Sequence, residues 1–358
     1  MSENTEPSAE PKAIEEARAA EPAVGADARA EPAVATSALS AETARVSERF
    51  AALSAQLDRV VIGQGRVKEQ LLACLLAGGH ALLEGVPGTA KTLLALGLSR
   101  LLGGRFRRIQ FTPDLMPADL LGTNIFNPKT QEFDFRSGPI FCDLLLADEV
   151  NRTPPRTQSA LLEAMQERAA TIDGERRPIS PVFLVVATQN PIEFEGTYPL
   201  PEAQRDRFLL KISIEVPNAE EETAVLAAYA SGHRLHEEVA NLQPMMSISE
   251  LVAARQLVSE RVRVEPALLS YIQRVVAKTR DHESVQIGAG PRASLALLDV
   301  ARAIALLRGR DFATPDDVKE MAEPVLVHRV ILTPEAEMEG VRLADLLRRI
   351  FEQVEVPR

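Results

Sequence analysis

From Ala44 onward the chain switches between two hydrophobic periods. Val46, Phe50, Leu53 and Leu57 recur at helical spacing and predict a helix with one apolar stripe. Five short runs follow: HALLE from His80, RRIQF from Arg107, DLLLA from Asp143, FLVVAT from Phe183 and LLKISIEV from Leu209. They read as strands, with segments of helical spacing between them. Several are almost continuously apolar, as strands covered on both faces of a parallel sheet must be. The pattern predicts an α/β domain over residues 44–216, a five-stranded parallel sheet between helices. From Pro217 the pattern is helical, with repeated start signals. Asn218 precedes Glu221 and Ser247 precedes Glu250 in capping-box spacing, and Thr314-Pro315 and Thr333-Pro334 put proline at the first helical position. Gly309 reads as the stop of a long apolar helix that starts at Pro291. A small all-α domain is therefore expected over residues 217–358.

Residues 1–43 obey neither period. They are Ala, Glu and Pro with few large apolar side chains, and they repeat crudely as ARAAEPAV and ARAEPAV. Such a segment cannot bury enough apolar surface to offset the entropy of ordering, so a disordered acidic tail is expected. It carries nine acids against three bases, more than half of the net charge of −11. That charge and the aromatic content of 4%, with no Trp, oppose a nucleic-acid partner, which needs cationic surface and stacking platforms. Cys74 and Cys142 lie in apolar surroundings without metal-ligand spacing and read as buried, reduced thiols. His233 and His236 have no carboxylate or cysteine at ligand spacing. No apolar run is long enough to span a bilayer, and the acidic first residues do not form a secretory leader. These features lead us to expect a cytoplasmic protein without direct membrane insertion.

The chemistry concentrates at strand ends. GVPGTAKT (Gly85, Val86, Pro87, Gly88, Thr89, Ala90, Lys91 and Thr92) follows the first strand and opens a helix. There, backbone N–H groups and a helix N-terminus would meet phosphate oxygens. Lys91 would pair with the β- and γ-phosphates of ATP and Thr92 would ligate Mg²⁺. Ala90 stands where the pattern G-x-x-x-x-G-K-[ST] has glycine. A non-glycine residue there predicts negative φ, with the chain already entering the helix. The strand DLLLA ends in Asp148 and Glu149 at the same sheet edge. Asp148 would hold Mg²⁺ through water, and Glu149 would polarise a water for in-line attack on the γ-phosphate. FLVVAT ends in Gln189 and Asn190, and the Asn190 amide would touch the γ-phosphate or orient that water.

Taken in order, VIGQ from Val61, GVPGTAKT, LLLADEVNRTPPRTQSALLEAMQER, ATQNP, LPEAQRDRF and GAGPRAS resemble an AAA+ P-loop NTPase, and more narrowly the MoxR family. The resemblance covers about Val61 to Ser294 and includes the GxPGxAKT form of the loop, so Ala90 becomes a family marker. It implies an ATPase core and a helical lid. Val61 and Ile62 would flank adenine. Arg207 would be an arginine finger acting on the neighbouring subunit, with Arg205 close enough to share the role, and Arg292 would be the sensor arginine of the lid. It further implies that PDLMPADLLGTNIFNPKTQEFDF and TIDGERRPISPV are insertions facing a ring pore or its substrate. The assembly implied is a homo-oligomer, a hexameric ring, with a chaperone-like role on protein clients that include von Willebrand factor A domain proteins. Two other functions stay open on the sequence: a nucleotide-gated scaffold with little turnover, and a magnesium-chelatase-like or DNA-acting motor.

Overall fold

The structure is a computed structural model and describes residues 33–86, 88–190 and 196–357. The first 32 residues of the expected tail, and Pro87 of the phosphate loop, lie outside the described residues. Helix α1 (Ala33–Val60) begins upstream of the apolar stripe, in the alanine-rich stretch AVATSALSAETA, which contains neither Gly nor Pro. Its stripe is buried as the spacing predicts, at Phe50, Leu53 and Leu57. Helix α2 (Gly65–Ala77) ends on Gly78, whose left-handed φ of 73° returns its N–H to the Cys74 carbonyl.

Strand β1 (Ala81–Gly85) leads into α3 (Lys91–Leu101), and β2 (Phe106–Gln110) into the short α4 (Pro117–Leu121). The first predicted insertion forms the hairpin β3 (Gly122–Asn127) and β4 (Glu132–Ser137). Next come β5 (Leu144–Asp148), α5 (Pro155–Glu167) and the second hairpin, β6 (Ala169–Ile172) with β7 (Glu175–Pro178). That hairpin turns at Asp173-Gly174, both with positive φ, as a two-residue turn requires. Strand β8 (Leu184–Gln189), α6 (Glu202–Arg205) and β9 (Leu210–Ile214) complete the core.

All five predicted strands join one parallel sheet, in the order β2-β5-β8-β1-β9. The central strands β5 and β8 are apolar because both their faces are covered. Leu144, Leu146, Leu184 and Val186 join one hydrophobic cluster, while Leu145, Ala147, Val185 and Ala187 join the other. Strand β2 is an edge, so its arginines can stay exposed.

The C-terminal part holds α7 (Ala219–Ala230), α8 (Leu235–Asn241), α9 (Ile248–Arg261), α10 (Pro266–Arg280), the short strand β10 (Val285–Ile287) and α11 (Pro291–Leu307). It ends with α12 (Pro315–Leu326), β11 (Ile331–Leu332, paired with β10), α13 (Pro334–Met338) and α14 (Leu343–Glu352). The start signals work as read. Asn218, Ser247, Thr314 and Thr333 each accept a backbone N–H of their own helix, and Gly309 follows α11 with φ 70°. This lid is not a separate ball. Val300, Ala301 and Ile304 of α11 belong to the same buried cluster as Leu71 and Leu75 of α2. Among the described residues, no helix is long and apolar enough to cross a membrane.

Candidate functional site

Every strand of the sheet runs the same way, so the carboxyl ends of β1, β5 and β8 open on one edge, and the sequence-predicted residues gather there. The phosphate loop leaves β1 at Gly85, where a side chain is excluded: a Cβ would stand 2.6 Å from the Ile214 carbonyl of β9. Gly88 takes φ 86°. Thr89 Oγ1 donates to the Val86 carbonyl at 2.9 Å, bracing the turn. Lys91 Nζ donates to the carbonyls of Gly85 (2.7 Å) and Val86 (2.8 Å), so its ammonium lies within the loop. Partial burial pushes its pKa down, and the carboxylates of Asp148 and Glu149 push it back up. The Thr92 hydroxyl has no hydrogen-bond partner among the described residues.

Ala90 corrects the sequence expectation. It sits at φ 60°, ψ 18°, in the left-handed region, as the N-cap of α3. Its carbonyl already accepts the first intrahelical bond, from Leu94 N–H at 2.9 Å. Left-handed geometry at both Gly88 and Ala90 is the kind of winding that turns successive N–H groups into one anion-binding concavity. A β-carbon there costs roughly 1–2 kcal/mol. The methyl group packs, partly buried, against the main core, which offsets some of that cost. The demand of the loop overrides the local preference of the residue.

The acid pair stands at the end of β5. Thr188 of β8 bridges it: its hydroxyl donates to Asp148 Oδ1 at 2.6 Å and accepts the Glu149 N–H at 2.9 Å. Glu149 is itself left-handed, at φ 60° and ψ 51°, so the chain turns sharply between the two carboxylates. Two residues of the edge strand reach the pair. Arg108 Nη2 donates to Asp148 Oδ2 at 2.6 Å, and Gln110 Nε2 donates to Glu149 Oε2 at 2.7 Å. Arg152 Nε meets the same Glu149 oxygen at 2.9 Å. Asn190 follows β8 directly and is buried, beside the end of β1, where Glu84 pairs with Gln189.

Sequence reading missed Thr188, Arg108, Gln110 and Arg152. The register supplies what it lacked, because Gln110 is the direct partner of Asp148 across β2 and β5. Residues two apart on a strand share a face, so Arg108 and Gln110 present together.

Next to the loop lies a cavity of about 370 Å³. Val61 and Ile62 line it, with Ala90, Lys91 and Thr92 at one side and Pro217 and Val225 at the other. An apolar slot with phosphate-loop amides at its mouth suits a base joined to a phosphate chain. Arg207 and Arg292 are not part of its lining. Arg207 follows α6 and lines a separate hollow against Ser159 and Glu163 of α5. Its side chain has no hydrogen bond or ion pair among the described residues. Arg292 begins α11 and pairs with Asp206 at 3.2 Å, beside Arg207. The structure thus brings the phosphate loop, the acid pair and Asn190 together and groups the two arginines elsewhere.

The residues present suit Mg²⁺ and a nucleotide polyphosphate. The donor set is hard oxygen, from the Thr92 hydroxyl and the Asp148 carboxylate, as Mg²⁺ prefers. Arg108 is the cation that a metal near Asp148 would have to share it with.

A parallel five-stranded sheet with this strand order, phosphate loop and strand-end acid pair, followed by a helical lid, defines an AAA+ ATPase. Comparison with known proteins agrees. A family profile described as "ATPase family associated with various cellular activities (AAA)" matches residues 80–210, and one described as "AAA lid domain" matches residues 277–350. The chain is 44% identical to "Chaperone MoxR1" of Mycobacterium tuberculosis, covering 85% of this chain and 81% of that one. It is 46% identical to YeaC of Bacillus subtilis, over 84% of this chain and 92% of its relative. A crystal structure from Cytophaga hutchinsonii superposes with TM-score 0.81 at 38% identity, over 91% of this chain and 99% of that chain. The chain belongs to the MoxR family of AAA+ ATPases.

Proposed function

We propose that this chain hydrolyses ATP with Mg²⁺ in a ring, a hexamer, and uses the resulting lid motion to remodel partner proteins in the cytoplasm. The observation that carries the reading is the shared edge: Lys91 and Thr92 at the end of β1, the Thr188-bridged Asp148 and Glu149 at the end of β5, and Asn190 at the end of β8. Val61 and Ile62 would flank the base, and the amides from Gly85 to Thr92 would wrap the phosphates. Lys91 would exchange its loop carbonyls for phosphate oxygens. Mg²⁺, held by Thr92 and through water by Asp148, would neutralise charge on the β- and γ-phosphate oxygens. Glu149 would take a proton from the attacking water, which Asn190 would orient. The geometry suits a low basal rate, because Gln110 and Arg152 both occupy one oxygen of Glu149, which must give up a donor before it can meet the attacking water.

Among the described residues the Arg207 side chain has no hydrogen bond or ion pair, and Arg207 does not line the nucleotide cavity of its own chain, which supports a role on a neighbouring subunit. ATPase rate per subunit should therefore rise with protein concentration as subunits assemble. A high, concentration-independent rate in a monomer would overturn the ring reading. The client reading rests on the chaperone name of the Mycobacterium tuberculosis relative, and the family resemblance points to von Willebrand factor A domain proteins. Affinity capture with Glu149→Gln protein in ATP should retain clients that the wild type releases. Equal recovery from the two would sink it.

A further inference from the structure

Within the core segment Asp206 to Leu209, three side chains of the lid grip every residue except Arg207. Arg329, in the turn between α12 and β11, donates through Nε to Asp206 Oδ1 at 2.7 Å. Its Nη1 donates to the Leu209 carbonyl at 3.1 Å, and its Nη2 to those of Phe208 (2.7 Å) and Asp206 (3.4 Å). His328 Nε2 donates to the same Phe208 carbonyl at 3.0 Å. A carbonyl only accepts, so the neutral ring carries its proton on Nε2. Arg292, in the first turn of α11, takes the other Asp206 oxygen at 3.2 Å. His328 and Arg329 are buried. Arg207, inside this gripped run, makes no side-chain hydrogen bond or ion pair among the described residues.

The grip is on the main chain on both sides of Arg207, not only on a side chain. Fixed carbonyls at 206, 208 and 209 leave the backbone under Arg207 unable to slide against the lid without stranding buried donors. The segment then enters the sheet directly as β9, so it has little slack of its own.

We propose that Asp206, His328 and Arg329 are positioning residues for Arg207, so that the lid of one subunit sets the reach of the arginine it lends to the next. This rests on the reading of Arg207 as an arginine that acts across subunits, and adds what controls it. Nucleotide-driven lid movement in one subunit thereby changes the rate in its neighbour, through a contact that touches neither nucleotide.

Subunit mixing tests this. Glu149→Gln subunits cannot hydrolyse but can lend Arg207; Arg207→Ala subunits lend nothing but keep their own acid pair. Each alone should be nearly inactive, and their mixture should regain ATPase. A mixture that regains nothing overturns the lent arginine itself, and the coupling with it. Given recovery, Arg329→Lys is then placed in one partner at a time. A misplacement of about 1 Å can cost on the order of 10²-fold, so in lending subunits the recovered rate should fall at least about tenfold, and in receiving subunits stay within about twofold. Equal losses in both positions, or none in the lender, would overturn the coupling while leaving the lent arginine standing. Asp206→Asn must show the same lender-only loss if Arg329→Lys subunits do not assemble. If neither variant enters mixed assemblies, the contact holds the fold and the proposal falls.

Discussion

At the phosphate edge, Lys91 is bonded to two carbonyls and the Thr89 hydroxyl of its own loop, Thr92 has no partner among the described residues, and Ala90 and Glu149 both adopt left-handed backbone. At the lid junction, Arg329 spends its guanidinium on the Asp206 carboxylate and four carbonyls, those of Asp206, Phe208, Leu209 and Val325, and Arg292 takes the remaining Asp206 oxygen. The first region keeps its groups exchangeable and stores strain; the second satisfies nearly everything it buries. A nucleotide must be admitted and released at one, so its groups need partners they can give up. A lent side chain must arrive in register at the other, and a satisfied, buried network gives rigidity. The difference separates a place where ligands change from a place where motion is passed on.

The largest effect should come from breaking the exchangeable side. Glu149→Gln keeps the size of the side chain and removes its basicity. Loss of a general base costs on the order of 10²–10⁴ in turnover, with ATP affinity little changed. Single-turnover hydrolysis beside equilibrium nucleotide binding would show the split. Turnover equal to wild type would remove Glu149 from the chemistry and favour a nucleotide-gated scaffold.

The second prediction concerns two buried histidines that stand in different parts of the comparison. His80 lies under the core, with Nε2 at the Met165 carbonyl and Nδ1 accepting the Val185 N–H, and burial lowers its pKa to about 4. His328 belongs to the lid grip, and burial, then Arg329, lowers its pKa well below the usual histidine value. In the unfolded chain both would protonate near pH 6.5, while the folded chain resists. Stability is therefore complete above about pH 6.5 and falls as pH drops toward 4. His80 alone contributes a loss of about 3 kcal/mol at the bottom of that window. Thermal melts from pH 7.5 to 4.5 should show this slope, and His80→Gln should flatten it. An unchanged slope in that variant would show that His80 carries none of it.

These two histidines also mark what a sequence can disclose. Strand runs, caps at Asn218, Ser247, Thr314 and Thr333, and the loop GVPGTAKT are local statements, each decided by residues a few positions apart. The five-stranded sheet and the lid followed from them. Thr188, Arg108 and Gln110 were not legible, because they meet the acid pair only through the register of β2 and β8 on β5. Asp206 gave no sign of its partner in Arg329, which lies more than a hundred residues along the chain. Arg329 looks like any arginine at a helix end until the fold brings it to a carbonyl-rich segment. Pairings across the fold have no local signature to read.

A smaller effect is expected from Gln110→Ala. Glu149 Oε2 accepts from both Gln110 and Arg152, and removing one donor should leave that oxygen freer to accept a hydrogen bond from the attacking water. The contact is solvent-exposed, so roughly 1 kcal/mol, or about fivefold in basal turnover, is the scale. An increase in steady-state ATPase would mark Gln110 as a restraint. A decrease would mean that it holds Glu149 in its working orientation, and the phosphate edge would then be less exchangeable than the comparison supposes.

Ala90→Gly is the gentlest probe and bears on the strain directly. Glycine adopts φ 60° without penalty, which relieves roughly 1–2 kcal/mol. Against that stand the loss of a partly buried methyl group, about 0.8 kcal/mol at most, and the greater freedom of glycine in the unfolded chain, about 0.4–1 kcal/mol. The terms nearly cancel, so stability should move by less than about 1 kcal/mol, a melting shift of a few degrees at most. Turnover should stay within about threefold, because the anion-binding concavity depends on backbone direction and not on the β-carbon. A tenfold loss of turnover with unchanged stability would show the reverse. The strained alanine would then be holding the loop in its working shape, and the strain itself would belong to the catalytic apparatus.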